Sequence, residues 1–326
     1  MAREMMYGEA IATAMMEEMT RDSNVILYGQ NLAMTERDPM LRKFGKKRVR
    51  IAPISETAEL GVAIGAAITG LRPIVELWMS EFMLVAFDQL INEAPRLRYM
   101  SGGQVKVPVV FKAGYGFAAG WAGQHSNCIY HTMMGIPGLK IALPSTAADA
   151  KGLMAAAIRD DNPVVYLHHY MLTLDKGQVP DGEYVIPFGV ADVKREGKDV
   201  TIVATGWMVK KSLAASELLA KQGISAEVID PRTLSPLDTN TIIKSVQKTG
   251  RLVLVDQAPR HSSVAAIIAA EIAEHGGNAL KAPLKMVTAL DTSIPFSEPL
   301  ETFVLPSEEK IVAAVNAVVV RQAAAV

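Results

Sequence analysis

Pro53-Ile54-Ser55-Glu56-Thr57-Ala58-Glu59-Leu60-Gly61-Val62-Ala63-Ile64-Gly65 is the stretch on which the fold turns. Proline closes what precedes it, Ser55 is a residue of the N-cap type, and an apolar run follows, so a helix is expected from here through Thr69. Gly61 and Gly65, with Ala58 and Thr69, recur at helical intervals and leave one face with small side chains only. Another backbone can approach such a face closely, and helix–helix packing alone would account for it. Glu56 opens an otherwise apolar helix at the end where a carboxylate is electrostatically favoured. By spacing alone it is a helix-start residue.

Outward from this helix, strands and helices alternate. Tyr7–Met19 has helical periodicity, Val25–Tyr28 is a short buried strand, and Arg48–Ala52 is another strand ending at Pro53. Pro73–Trp78 reads as a strand, Phe82–Tyr99 as a long helix, and Val107–Lys112 as a strand entering a glycine-rich loop. Leu139–Leu143, Ala147–Ile158 and Pro163–His168 continue as strand, helix and strand. The pattern lapses from Tyr170 to Asp199, with the domain boundary near residues 175–195, and Arg195–Asp199 looks like a charged hairpin. A second alternating run follows: strands at Val200–Ala204, Ser225–Ile229, Arg251–Val255 and Leu284–Thr288, and helices at Lys210–Gln222, Thr239–Lys248, Val264–His275 and Ser307–Arg321. The expected class is α/β, two three-layer α/β/α domains over residues 1–175 and 196–326 with a linker at 176–195.

Composition agrees and excludes several functions. The 326 residues suit two domains at roughly 150 each. Lys plus Arg is 33 against 34 for Asp plus Glu, which leaves no broad basic footprint for nucleic acid or anionic lipid. A single cysteine, Cys128, rules out an internal disulfide and fits a reducing compartment. The N-terminus lacks the basic start and apolar run of a signal peptide. The longest apolar stretches, such as Leu60–Thr69, fall short of the ~20 residues needed to span a bilayer, so a cytoplasmic location is expected.

Gly114-Tyr115-Gly116-Phe117-Ala118-Ala119 satisfies a dinucleotide-binding pattern in form. The next strand ends at Pro144-Ser145, where the pattern wants an acidic residue for ribose, so the loop is read as placing the residues after it. His168 and His169 are adjacent on a strand, point to opposite faces and make a poor metal pair.

Glu56, four residues, then Gly61-Val62-Ala63-Ile64-Gly65 resembles the motif of the pyrimidine-binding domain in thiamine diphosphate enzymes. The surrounding stretches, from Pro53–Glu56 through Gln124-His125-Ser126 and Asp149–Val165 to Val228–Leu237, are similar in order to the E1β subunits of 2-oxo acid dehydrogenases: pyruvate, branched-chain and acetoin systems, which are related to transketolase. The resemblance implies that Glu56 hydrogen-bonds the cofactor's pyrimidine and favours its imino tautomer. His125 would face substrate and intermediate, a role that suits an imidazole because its charge changes near neutral pH. Phe82 matches an aromatic beside the pyrimidine, with core packing as the equal alternative. Ala157, Asp160 and Asn162 match a structural potassium site, although Arg159–Pro163 taken alone is simply a turn.

The same family holds the diphosphate and Mg2+ through a Gly-Asp-Gly…Asn motif, and no Gly-Asp-Gly occurs here. The resemblance therefore implies an α subunit carrying that motif and an α2β2 assembly. Three departures bear on the activity. Lys281 stands in Leu280-Lys281-Ala282-Pro283 where many relatives have the aspartate that helps dock a basic domain of the E2 acyltransferase, and like charges would weaken that docking. His261-Ser262-Ser263 replaces a Gly-Gly pair, and Trp121 precedes His125 where a small residue is usual. Trp78, Trp121 and Tyr115 are candidate pocket walls. The leading expectation is a dehydrogenase subunit that decarboxylates a 2-oxo acid or cleaves acetoin and passes the acyl unit to lipoamide of an E2. The alternatives are a two-subunit, transketolase-like carboligase without an E2 core, and a non-catalytic scaffold subunit.

Overall fold

A computed structural model describes residues 2–30, 39–116 and 119–319. The chain divides into two compact units: residues up to 115 with 132–188, and residues 116–131 with 189 onward. The expected domain split by position alone thus gains one exchange, because the segment that carries His125 belongs with the C-terminal residues.

The first unit begins with strand β1 (Ala2–Met6) and helix α1 (Tyr7–Arg21), followed by β2 (Val25–Gly29), α2 (Pro39–Phe44) and β3 (Val49–Ile51). Helix α3 (Glu56–Ile68) leads to β4 (Arg72–Met79). A continuous helical stretch comes next, 3-10 over Ser80–Ala86, π over Gln89–Glu93 and α over Ala94–Met100 (α4). Strand β5 (Val110–Tyr115), the one-turn α5 (His131–Met134), β6 (Lys140–Ala142), α6 (Ala147–Arg159), β7 (Val164–His169) and β8 (Lys176–Pro180) complete it. Strands β6-β7-β5-β4-β2-β3 lie side by side and all pair in parallel. Parallel strands need covering on both faces, which is why β5 is buried at every position. Strand β8, inside the stretch expected to be a linker, pairs antiparallel with β1.

Chain order fixes where a site can form. The chain runs from β2 outward to β3 and then returns across β2 to β4, so the direction of winding reverses between β2 and β4. In an open α/β sheet, ligands bind beyond the carboxyl ends of the strands at such a reversal. Gln30 follows β2, Glu56 starts the helix after β3, and Phe82 lies just after β4.

Inside the sheet, Glu76 on β4 stands opposite Lys112 on β5, and the Lys112 Nζ donates to both carboxylate oxygens at 2.6 and 2.7 Å. Next to them, Gly114 has no room for a side chain: a Cβ there would lie 2.1 Å from the Tyr170 ring. The first glycine of the nucleotide-like pattern is therefore a packing residue. Residues 119–130 form turns and bends with no helix opening, and Phe117 and Ala118 lie outside the described residues.

The second unit holds β9 (Asp192–Arg195), β10 (Val200–Ala204), α7 (Trp207–Lys221), β11 (Ala226–Asp230) and the short β12 (Thr233–Ser235). Then come α8 (Thr239–Thr249), β13 (Leu252–Pro259), α9 (Val264–His275), β14 (Lys285–Ala289), α10 (Glu298–Val304) and α11 (Glu308–Val319). The sheet order is β14-β13-β10-β11-β9, parallel except for β9. The charged hairpin expected at 195–199 is not formed. Strand β9 pairs with β11 instead, and Gly197 lets the connection pass tightly over it, since a Cβ there would meet the Glu227 nitrogen at 2.1 Å. Winding in this sheet reverses between β10 and β13. The end of the helix expected to reach Arg321 lies outside the described residues.

Candidate functional site

Helix α3 starts at Glu56 because Pro53 and Ser55 break the extended chain and Glu56, Ala58, Glu59 and Leu60 in its first turns are good helix formers. The Ser55 hydroxyl expected to cap it makes no cap bond. The Glu59 side chain does the work from one turn further on, its Oε1 accepting the Ser55 N–H at 3.1 Å. Gly70, at φ +105°, ends the helix in the conformation that favours glycine.

Glu56 is buried at 9 % exposure, and its Oε1 accepts from the Gln30 side-chain amide at 3.1 Å. Its helix position puts the positive end of the macrodipole beside the carboxyl. Burial pushes the carboxyl of Glu59 up, the Ser55 N–H opposes this, and the charge of Glu56 adds to it. Phe82 is half-buried in the 3-10 turn after β4, and the Thr57 hydroxyl ties α3 to that turn by donating to the Val85 carbonyl at 3.0 Å. The first unit thus brings Gln30, Glu56, Glu59 and the turn bearing Phe82 to one end of its sheet. Neither Gln30 nor Glu59 was singled out from sequence. Glu59 had a visible signal, a second acid at i+3 in an apolar helix, whereas Gln30 had none.

The small-residue face of α3 is open within the described chain. A Cβ at Gly61 or Gly65 would meet nothing within 4 Å, and Ile54 and Val62 beside them are exposed.

His125 is half-buried in the second unit. Its loop is anchored over the winding reversal between β10 and β13. The Tyr130 hydroxyl donates to the buried Asp256 carboxylate, which also accepts from Thr205 Oγ1 at 3.2 Å and from the Val264 N–H at 2.7 Å. The Gln257 amide reaches the Gly116 carbonyl at 3.3 Å, and Glu301 Oε2 accepts the Gly120 N–H at 3.0 Å. Ala122 sits at φ +60°, a conformation that costs a non-glycine residue on the order of 1 kcal/mol and concentrates at functional loops. Trp121 packs edge-on against the His125 ring, with centroids 6.1 Å apart.

The side chains expected at a potassium site are already engaged. Asp160 Oδ1 accepts from the Asn162 backbone and side-chain amides at 2.9 and 2.8 Å, and Lys140 pairs with its other oxygen. Arg98 holds the Asn162 Oδ1 at 2.9 Å, and Arg72 donates to the Ile158 and Asp160 carbonyls at 2.8 and 2.7 Å. Of the main-chain oxygens there, that of Asp160 already accepts from Arg72 and that of Ala157 from the Asp160 N–H. Among the described residues no cluster of His, Cys, Asp or Glu could hold a metal, and no helix is long and apolar enough to cross a membrane.

Residues 3–173 match the transketolase pyrimidine-binding domain and residues 189–311 the transketolase C-terminal domain. The chain is 45 % identical to the β subunit of acetoin:2,6-dichlorophenolindophenol oxidoreductase from Cupriavidus necator, over 96 % of this chain and 97 % of that one. It is 44 % identical to the pyruvate dehydrogenase E1 β subunit of Rickettsia felis (95 % and 97 %) and 40 % identical to the 2-oxoisovalerate dehydrogenase β subunit of Bacillus subtilis (96 % and 98 %). In fold it is similar to a split-gene transketolase described as an inactive β4 tetramer, with TM-score 0.80, 23 % identity and coverage of 96 % and 98 %. The chain belongs to the transketolase-related family of E1β subunits of 2-oxo acid and acetoin dehydrogenases.

Proposed function

We propose that this chain is the β subunit of a thiamine diphosphate enzyme that decarboxylates a 2-oxo acid or cleaves acetoin and delivers the acyl unit to a lipoyl group. The observation that carries this is a buried carboxyl, Glu56, held by Gln30 at a helix N-terminus on the binding edge of a pyrimidine-binding domain. When bound, thiamine diphosphate supplies an electron sink next to the substrate's carbonyl carbon.

The residues of this chain do the proton work. Glu56 would hydrogen-bond a ring nitrogen of the pyrimidine and exchange a proton with it. The Gln30 amide, donating to Oε1, orients the carboxyl and leaves Oε2 for that bond. Phe82 offers an apolar wall to the pyrimidine. His125 moves a proton at the substrate oxygen, with its loop fixed through Tyr130, Gln257 and Glu301.

The diphosphate and its Mg2+ fall to an α partner, since no Gly-Asp-Gly occurs in this chain. The open face of α3, with Gly61, Gly65 and Val62 uncovered, supports a partner chain there and an α2β2 assembly. A potassium ion, if held at the turn after α6, is bound by the main-chain oxygens of Ala157, Asp160 and Asn162. Lys281, exposed with its stem across Gly250, presents a positive charge to any E2 partner. A two-subunit carboligase remains the second reading on that account.

Reconstitution with the α partner decides between the two. Substrate-dependent reduction of an artificial electron acceptor together with acylation of a lipoyl domain supports the dehydrogenase. Formation of a C–C bond with no lipoyl acylation overturns it.

A further inference from the structure

Strand β14 ends the sheet of the second unit, with β13 on one side and no strand on the other. In a parallel pair only part of a strand's N–H and C=O groups point at each neighbour, so a row of backbone groups on β14 faces away from β13. Among the described residues, none of the groups in that row has a backbone partner. The edge is also concave. All of residues 285–291 line a cavity of about 450 Å³, together with Arg260 and His261 after β13 and Lys310 and Ala314 on α11. Successive residues of a strand point to opposite faces, so a cavity that touches every one of them runs along the edge and not over a face. At roughly 3.3 Å per residue it is about 20 Å long, which is room for five or six extended residues.

The groove is basic. Arg260 and Lys285 are exposed, and neither side chain has a partner among the described residues. Lys310 donates to the Phe303 and Leu305 carbonyls at 2.5 and 2.6 Å, and the charge of Glu309 acts on it through space. The one acid in the lining, Asp291, lies 3.6 Å from the His261 imidazole. Between the cations are apolar positions: Met286 and Ala314, half-buried, and Leu290, exposed. Cations on an edge strand discourage pairing between copies, and two copies of this edge would bring the same charges together. A guard of that kind needs neither a groove nor apolar positions along it.

We propose that the β14 edge is a docking site for an extended, acidic segment of a partner protein, which adds as a strand beside β14 with its carboxylates on Arg260, Lys285 and Lys310. Main-chain bonds to the outward groups of β14 give the affinity, and the cations select the acidic sequence. The site lies wholly in the second unit and does not depend on the reading of Glu56.

Fluorescence anisotropy of the full chain with a labelled peptide of about eight alternating Glu and Val residues, long enough to fill the groove, tests this. The comparison probes are a Lys–Val peptide of the same length and a fully N-methylated Glu–Val peptide, which cannot donate to a ladder. The acidic peptide should bind saturably, and both comparison probes should bind at least about tenfold more weakly. The double variant Arg260→Glu, Lys285→Glu should weaken the acidic peptide by about tenfold or more, with the thermal midpoint close to wild type because both side chains are exposed. Should the charge reversal disturb the fold, Arg260→Gln, Lys285→Gln gives a smaller loss in the same direction. Hydrogen exchange locates the peptide, which should slow the outward amides of β14. No saturable binding of the acidic peptide, affinity unchanged by the charge substitutions, or protection elsewhere overturns the proposal. So does protection of the outward amides in the free chain, since the edge is then already covered by a second copy or by another part of the chain.

Discussion

Replacing Lys112 by Met removes the cation from a buried pair and leaves Glu76 in the sheet without it. Both side chains are almost sealed, at 9 % and 11 % exposure, and both carboxylate oxygens depend on the same ammonium. A broken buried pair costs about 3–5 kcal/mol, because the surviving charge is neither hydrated nor compensated. At about 2–4 °C per kcal/mol for a unit of this size, the thermal midpoint should fall by roughly 6–20 °C. Burial first, and then the charges of Glu76 and Glu81, push the Tyr170 phenol up, which places that ring within reach of the field of the stranded carboxylate. The double variant Lys112→Met, Glu76→Leu removes the stranded charge and should recover most of the loss, since well-packed apolar pairs match or exceed buried ion pairs. Urea denaturation of the four members of the cycle gives the coupling directly. A single variant within about 1 kcal/mol of wild type, or strictly additive losses, would refute the reasoning.

Gly114→Ala forces a Cβ to within 2.1 Å of the Tyr170 ring, whose hydroxyl is itself bound to the Trp78 carbonyl. The ring cannot simply swing away, and a loss of about 1–3 kcal/mol in denaturant titration is expected. Asp238→Ala removes the acceptor for the Thr241 N–H at 3.0 Å and the Ala191 N–H at 2.9 Å, and should cost about 1–2 kcal/mol. Burial pushes the Asp238 carboxyl up, but bonds from Thr241 and Ala191 outweigh it and leave the group below its ordinary 3.8. Its contribution is therefore complete above that value and fades as pH falls through the lower folded one, so the gap to wild type should close in acid.

The α/β architecture was legible because apolar runs of four to eight residues, broken by glycine and proline, mark parallel strands, as at Val200–Ala204 and at Val25–Tyr28, where the strand extends one residue further to Gly29. Glu56 was legible as a feature because an acid at the head of an apolar helix is conspicuous. What could not be read depends on contacts far apart in sequence. Nothing near Gln30 signals that its amide will hold Glu56, 26 residues away. Residues 116–131 read as a loop of the first domain, yet Tyr130 bonding Asp256 places them in the second unit. The hairpin expected at 195–199 failed because charge and glycine signal a turn without naming the strand's partner. Strand β9 found β11, beyond the intervening strand β10 and helix α7. The nucleotide-like glycines misled in form because Gly114 answers to a Tyr170 ring that the pattern does not contain.

Glu56 is proposed to activate a pyrimidine-bearing cofactor. Hydrogen–deuterium exchange at thiamine C2 in the assembled enzyme, with Glu56→Gln against wild type, tests it most directly. A positioned acid–base group contributes roughly 10²–10⁴-fold, so the exchange rate should fall by that factor while cofactor binding and the thermal midpoint stay close to wild type. Exchange that proceeds at the wild-type rate in Glu56→Gln would contradict the account.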